Sequence, residues 1–329
     1  MMRRLCQRKR AGVQPMAARV RPATCAAAVL LLTACAGTRA TRSTAPVAEA
    51  MPVATQRVVS AATGRTISFA QMADEAAKAD VVFFGEQHDD DETHRAELAL
   101  LTAIGERRRE VILSLEMFER DVQPQLDAYL AGRISEAVFR AQSRPWPNYA
   151  ADYRPLVELA KAKGWPVLAS NVPRRLASIV SRRGLPAIDS LAAAERAFVA
   201  RDLQCPKDRY YDNFVAVMGG AHRASSAPSV PGARPMTDLF YESQCVKDET
   251  MAEAIVEARA KSGGAVVLHV TGAFHSDFGL GTVSRVARRL PSERTVVVSA
   301  VPTRDPMKEK TAELLDRAQF IVLALRTKP

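Results

Sequence analysis

Two short segments place a histidine three residues after a glycine at the end of an apolar run. VVFFGEQH finishes with Gly85-Glu86-Gln87-His88, and VVLHVTGAFH finishes with Gly272-Ala273-Phe274-His275. In an open α/β sheet, ligands collect outside the carboxyl ends of the strands. A glycine there lets the chain turn sharply, and a histidine just beyond it can point into the crevice. One such histidine alone reads as a surface or satisfied core residue. Two at equivalent strand ends, out of five histidines in all, point to a site. Glu86 lies beside His88, and Glu116 ends another apolar run, which adds two carboxylates. Glu86, His88, Glu116 and His275 could bind a metal, serve as general acid and base, or hold a polar ligand, and spacing alone does not choose. His269 falls mid-strand and reads as structural, and His94 is expected on the exposed start of the next helix.

These side chains need a scaffold, and the hydropathy pattern supplies one. Asp80–Gly85, Val111–Leu115, Val167–Ser170, Ala265–Thr271, Thr295–Ala300 and Phe320–Leu325 are short apolar runs bounded by polar or turn residues. Their continuous hydrophobicity predicts strands covered on both faces, as in parallel sheets. Asp91–Arg109, Arg154–Lys163, Pro173–Arg182, Leu191–Arg201, Asp248–Lys261 and Lys308–Arg317 carry helical spacing. Alternation of the two predicts an α/β fold, a mostly parallel sheet flanked by helices. Ser114-Leu115-Glu116 follows the first glycine-histidine motif by a helix and a strand, as Val298-Ser299-Ala300 follows the second. That looks like an internal duplication, with a site at the junction of its halves. Residues from about 189 to 261 show helices and no convincing strand, so they read as a helical insertion or subdomain. Within them Ala221–Pro235 reads as a loop from its Pro, Ser and Gly content.

The amino end sets the compartment. Arg3, Arg4, Arg8, Lys9, Arg10, Arg19 and Arg21 precede an apolar run, Ala26 to Leu32, and then Leu32-Thr33-Ala34-Cys35. This is the layout of a secretory signal, and the run is about half the ~20 residues a spanning helix needs. Its last four residues resemble a lipobox, with Cys35 as the lipidated first residue of the mature chain. A start at Met16 rather than Met1 leaves that motif intact. The expected division is a signal peptide over 1–34, a flexible linker over 35–56, rich in Thr, Ala, Ser and Pro, and an α/β domain over 57–329. The full chain carries 46 basic and 36 acidic residues, net +10. Seven of the basic residues lie in the signal, so the mature chain keeps 39 against 36. So small an excess gives no reason to invoke nucleic acid. Ala36 after Cys35, rather than Asp, resembles an outer-membrane sorting signal if the cell is Gram-negative. Of five cysteines, only Cys205 and Cys245 remain unassigned in the exported chain, and compartment and count favour a disulfide between them.

From about Ser68 to Phe278 the chain resembles the ChaN-like haem-binding lipoproteins of the wider Tiki/TraB-type superfamily. The segments carrying the likeness are VVFFGEQHDDDETHRAEL, LSLEMFERDVQPQLDAYLAG, WPNYAADYRPLVELAK, ASNVPR, ETMAEAI and HVTGAFHSDFGLG. The resemblance implies an α/β domain that binds haem during iron acquisition, with a tyrosine as iron ligand and haem shared in a homodimer. It further implies a membrane-tethered, non-enzymatic protein that meets an outer-membrane haem receptor. Tyr153 and then Tyr149, on an aromatic loop with Trp146, are the tyrosines inside the matching segment. Arg154 and Arg144 are available there to the propionates, and His88 and His275 are further candidates for the haem site. Tyr210 and Tyr211 form a second candidate pair, and ordinary packing of the aromatic loop is the competing account. The same superfamily includes hydrolases, so a metal-dependent or Glu/His-dependent hydrolase using Glu86, His88, Glu116 and His275 is the alternative. Neither Gly-x-Ser-x-Gly nor His-Glu-x-x-His occurs in the chain.

Overall fold

Six strands of near-continuous Val, Ile, Leu and Phe form the centre of the molecule, each flanked by helices that bury one apolar stripe. A computed structural model describes residues 56–222 and 234–326, all within one compact unit, Ala50–Pro329. The signal peptide, Cys35, nearly all of the linker and most of the Ala221–Pro235 loop lie outside the described residues. In chain order the elements are β1 (Gln56–Ser60), β2 (Arg65–Ile67), α1 (Phe69–Ala76), β3 (Val81–Glu86), α2 (Asp91–Arg107) and β4 (Val111–Glu119). Then come α3 (Gln123–Leu130), α4 (Glu136–Ser143), α5 (Arg154–Lys163), β5 (Val167–Asn171), α6 (Arg174–Arg183) and α7 (Ala193–Arg196). The chain finishes with α8 (Arg209–His222), α9 (Met236–Ser262), β6 (Val266–Gly272), α10 (Gly281–Arg289), β7 (Thr295–Thr303) and β8 (Phe320–Leu325).

The strands form one eight-stranded sheet in the order β2-β1-β8-β7-β3-β6-β4-β5. All neighbours from β8 to β5 pair in parallel, and β1 pairs antiparallel with both β2 and β8. Successive side chains of a strand point to opposite faces, so each central strand feeds two cores. Val82 and Phe84 join Leu100, Ile104, Phe139 and Leu156 on the face covered by α1 to α5. Val81 and Phe83 join Ala252, Ile255, Val283 and Val286 on the face covered by α9 and α10. The result is a three-layered α/β/α fold, and all six predicted strands are present with their ends moved by a few residues.

Several predicted elements differ. Lys308–Arg317 forms no α-helix, only a 3-10 turn at Ala312–Leu314, because the segment buries no apolar stripe that would repay helix formation. Leu191–Arg201 yields only the four-residue α7. The helix expected from Asp248 instead begins at Met236 and runs 27 residues, its extra turns burying Tyr241 and Cys245. It packs along α6, α10 and β5, so the last part of the 189–261 region belongs to a layer of the sheet. No strand occurs among the described residues of that region. No helix among the described residues is long and apolar enough to cross a membrane.

The two glycine-histidine segments lie side by side. β3 and β6 are neighbours in parallel, with Glu86 opposite Gly272. The chain leaves β3 through α2 on one face and leaves β6 through α10 on the other. Adjacent strands whose crossovers diverge in this way open a crevice at their carboxyl ends.

Candidate functional site

That crevice is a cleft of about 370 Å³. Its floor is Glu116, Gly272, His88 and His275, and its walls include Trp146, Val172, Phe214, Met218 and Phe274. The glycines serve close approach rather than a sharp turn, since neither has a positive φ. A Cβ at Gly85 would lie 2.5 Å from Ser276 Oγ, and one at Gly272 would lie 2.8 Å from His88 Nε2. Gly272 therefore leaves the space in which the His88 imidazole sits over the strand end.

His88 is fixed from behind. Its Nδ1 bonds Glu86 Oε1, and its ring meets Trp146 edge-on with centroids 4.9 Å apart. With Nδ1 engaged by a carboxylate, the Nε2 position is presented to the cleft. Burial works to lower the pKa of this imidazole, but the Glu86 carboxylate outweighs it and the net shift is upward. His275 repeats the arrangement. Its Nδ1 lies 2.8 Å from Asp248 Oδ1 on α9, and its Nε2 lies 3.6 Å from Glu116 Oε1. Here too burial pulls the pKa down while Glu116 and Asp248 carry it upward. Asp248 is itself held by the Tyr210 hydroxyl at 2.7 Å and the Thr282 hydroxyl at 2.8 Å. Glu116 accepts from Thr271 Oγ1 at 2.6 Å and from the Gly272 N–H at 2.8 Å. Its burial favours the neutral acid, yet the charges of His275, His88 and Lys247 hold it ionised. Two carboxylate-backed imidazoles thus flank one buried carboxylate, a set able to ligate a metal or to move a proton.

Behind His88 lies a second, enclosed group. His94, expected at an exposed helix start, is only 6% exposed. Asp90 caps α2 by accepting from Thr93 N at 2.9 Å, and Glu92, Thr93 and His94 of its first turn are all buried. His94 Nδ1 then stands 3.3 Å from Glu86 Oε2 and 3.2 Å from Glu97 Oε2. Burial opposes its charge, but the two glutamates push its pKa up to about 11. Burial together with the neighbouring Glu86 charge raises Glu97 well above the usual carboxylate range. Glu86, His94 and Glu97 form a candidate metal-ligating triad, with ligand atoms all within 4.8 Å of one another. His269 is buried in β6 with Nδ1 2.9 Å from Ser114 Oγ, and burial lowers its pKa to about 4.

The tyrosines take a different place from the cleft lining. Tyr153 is fully buried and its hydroxyl donates to Glu86 Oε1 at 2.7 Å. Burial and then the Glu86 charge push its pKa far upward, so its proton is firmly held. Tyr149 is 1% exposed, packs against Phe118 and Phe139, and is also shifted upward by burial. Neither lines the cleft. Tyr210 is buried on Asp248, and the Tyr211 hydroxyl donates to Asp238 at 2.7 Å. Arg154 is engaged by both Glu136 carboxylate oxygens, at 2.7 and 2.9 Å, and Arg144 bonds Glu119 and Asp121. Cys205 and Cys245 form the expected disulfide, with Cα atoms 5.5 Å apart.

The family described as haem-binding uptake, Tiki superfamily, ChaN matches residues 72–286, more than half of the chain. The chain belongs to that ChaN family. The structure of a Campylobacter jejuni ChaN, titled for its cofacial haem binding, shares the fold with a TM-score of 0.60. At 17% identity, the match covers 82% of this chain and 96% of that one. Protein RETICULATA-RELATED 5, chloroplastic, from Arabidopsis thaliana is 28% identical over 215 residues, 62% of this chain. The match spans only 28% of that plant protein's length. Asp248 and the cations Arg174 and Lys247 of the cleft are the site residues that sequence reasoning missed. Arg174 lies three residues past the end of β5, within ASNVPR, and was not singled out there, whereas no spacing rule links Lys247 and Asp248 to a strand end and only the packing of α9 brings them in.

Proposed function

We propose that this ChaN-family protein binds haem in the cleft at the ends of β3, β4 and β6, as a lipid-tethered component of haem and iron uptake. The observation that carries the reading is a cleft with an apolar wall of Trp146, Val172, Phe214, Met218 and Phe274, into which a carboxylate-backed imidazole, His88, is set. Haem requires an apolar slot, an axial ligand and cations for its propionates. Trp146, Val172, Phe214, Met218 and Phe274 supply the first, His88 supplies the second in its neutral form, with Nδ1–H on Glu86 and the Nε2 proton given up, and the residues present fit the group. Bound haem would supply an iron centre whose axial position is open to a protein ligand. Glu86 holds the His88 tautomer and orientation, while the apolar walls exclude water from the macrocycle face. The enclosed hydroxyls of Tyr153 and Tyr149 support His88 over either tyrosine as the ligand. His275 and Glu116 bound the other end of the floor. The likeness to a ChaN titled for cofacial haem binding supports haem sharing between two copies, and the lipobox-like segment at Cys35 supports the tether. An outer-membrane receptor is the partner this placement fits.

Titration of the purified protein with haemin, followed in the Soret region, tests the proposal. A saturable shift is expected, retained in Tyr153→Phe and Tyr149→Phe and lost or displaced in His88→Ala. Absence of a saturable shift in the unaltered protein sinks the haem reading. The second reading is a metal-dependent or Glu/His-dependent hydrolase, favoured by the ionised Glu116 between two imidazoles. It requires turnover of esters or peptides that disappears in His88→Ala, sensitive to chelator in the metal-dependent form and insensitive to it in the Glu/His form.

A further inference from the structure

The cations around the cleft are not equivalent. Arg144 is occupied by Glu119 and Asp121, and Arg175 by Asp121 and Glu195. Arg154 is occupied by Glu136. Arg174, the first residue of α6, and Lys247, on α9, both line the cleft. Among the described residues neither has an ion-pair partner. A cation left unpaired while its immediate neighbours are paired is available to a ligand anion. The two come from helices that pack against one another, on a cleft that otherwise presents Trp146, Val172, Phe214 and Phe274.

Charge balance sharpens the argument. Of the cleft's two carboxylates, Glu119 is neutralised by Arg144, and Glu116 is taken up by Thr271, Gly272 and His275. Arg174 remains without a countercharge, and Lys247, which acts on Glu116 only from beyond ion-pair distance, keeps its ammonium open to a ligand beside the apolar wall. The matching ligand is flat and apolar over most of its area and carries two carboxylates on one side.

Resting on the haem reading, we propose that Arg174 and Lys247 form the carboxylate clamp of the cleft. They select a dicarboxylate porphyrin and fix which edge of it faces α6 and α9. Arg144 and Arg154, the cations nearest the aromatic loop in sequence, have no part in this. The guanidinium at position 174 can engage one carboxylate through two parallel N–H donors, and the ammonium of Lys247 acts as a point charge.

The test uses the full chain and three probes: haemin, iron-free protoporphyrin IX, and the dimethyl ester of haemin. Binding is read from the Soret band and from quenching of tryptophan fluorescence, since Trp146 lines the cleft. The unaltered protein is expected to bind haemin and the iron-free porphyrin and to bind the diester roughly ten- to hundredfold more weakly. In R174Q/K247Q the preference for diacid over diester should collapse, while diester binding itself barely changes. R144Q and R154Q should keep the full preference. Equal affinity of the unaltered protein for diacid and diester overturns the clamp and leaves haem binding standing. A preference that persists in R174Q/K247Q overturns it equally. No binding of either porphyrin removes the haem reading and the clamp together.

Discussion

Glu86 is a junction residue: it accepts from Tyr153, fixes His88 and faces His94, all from one fully enclosed carboxylate. The strand-end motif made Glu86, His88, Glu116 and His275 legible, because a Gly-x-x-His after an apolar run puts the side chain at a sheet edge whatever surrounds it. His94 was misplaced because a polar first turn reads as exposed, whereas Glu86, Glu97 and the Tyr153 ring enclose it through contacts that hydropathy does not record. Gly272 offers a direct probe of His88. In Gly272→Ala the new Cβ meets the far end of the imidazole, 2.8 Å from Nε2, and not backbone. The urea midpoint should hold while haemin affinity falls by about tenfold or more, some 1.4 kcal/mol. Asp277 makes a separate prediction. Burial raises its pKa from 3.8 to about 6, and Oδ1 has no hydrogen-bond partner. The folded state thus holds this proton more tightly than the unfolded chain does. Stability from this group is fully present below the unfolded pKa and is lost as pH rises through about 6. Asp277→Asn should remove that decline and gain stability at neutral pH relative to the parent, by less than the roughly 3 kcal/mol of the full shift because the charge pairing with Arg317 at 3.4 Å is lost, measured as urea midpoints across pH 4 to 8.

At the level of elements, the strands were readable and many helices were not. A strand covered on both faces writes a run of Val, Ile and Phe into the sequence, and β3, β6 and β7 do so. α3, α4 and α8 are short or carry mixed faces, so periodicity alone did not mark them. β1 and β2 were hidden for another reason: β2 is three residues long and mostly exposed at the sheet edge, and β1 carries only two fully buried residues. α2 shows how an element is seated by one small residue. A Cβ at Gly105 would fall 2.0 Å from Trp165 Cη2. Because Trp165 is held in the core below β5, Gly105→Ala should cost about 1–3 kcal/mol through overpacking. Equilibrium urea unfolding would show the loss, and haemin affinity at the distant cleft should be unchanged.

Over the whole molecule, one face of the sheet is closed by helices that follow their strands directly. The other depends on α9, which arrives after a long helical excursion, supplies Lys247 and Gln244 to the cleft and backs His275 with Asp248. This arrangement explains why the fold class could be read from alternating runs while the full site could not. Gln244 and Lys247 of the cleft, and Asp248 behind His275, come from a helix whose contacts are set by tertiary packing. The Cys205–Cys245 bond joins that helix to the segment leading into α8, across a sequence separation of 40 residues. In the chain-entropy model its loss costs about 4 kcal/mol. Cys205→Ser with Cys245→Ser should lower the melting temperature and weaken haemin binding, and dithiothreitol should do the same to the parent protein. An unchanged affinity in both would detach the bond from the cleft. Lys247 stands on the helix that carries Cys245, and Phe214 on the helix that the Cys205 segment leads into, so the expectation is a cleft wall fully formed only once this bond closes. A newly made chain in a reducing compartment would hold its ligand poorly. Capture would then begin only after oxidative maturation, which would keep precursors from depleting the pool of haem on which the cell's own enzymes draw.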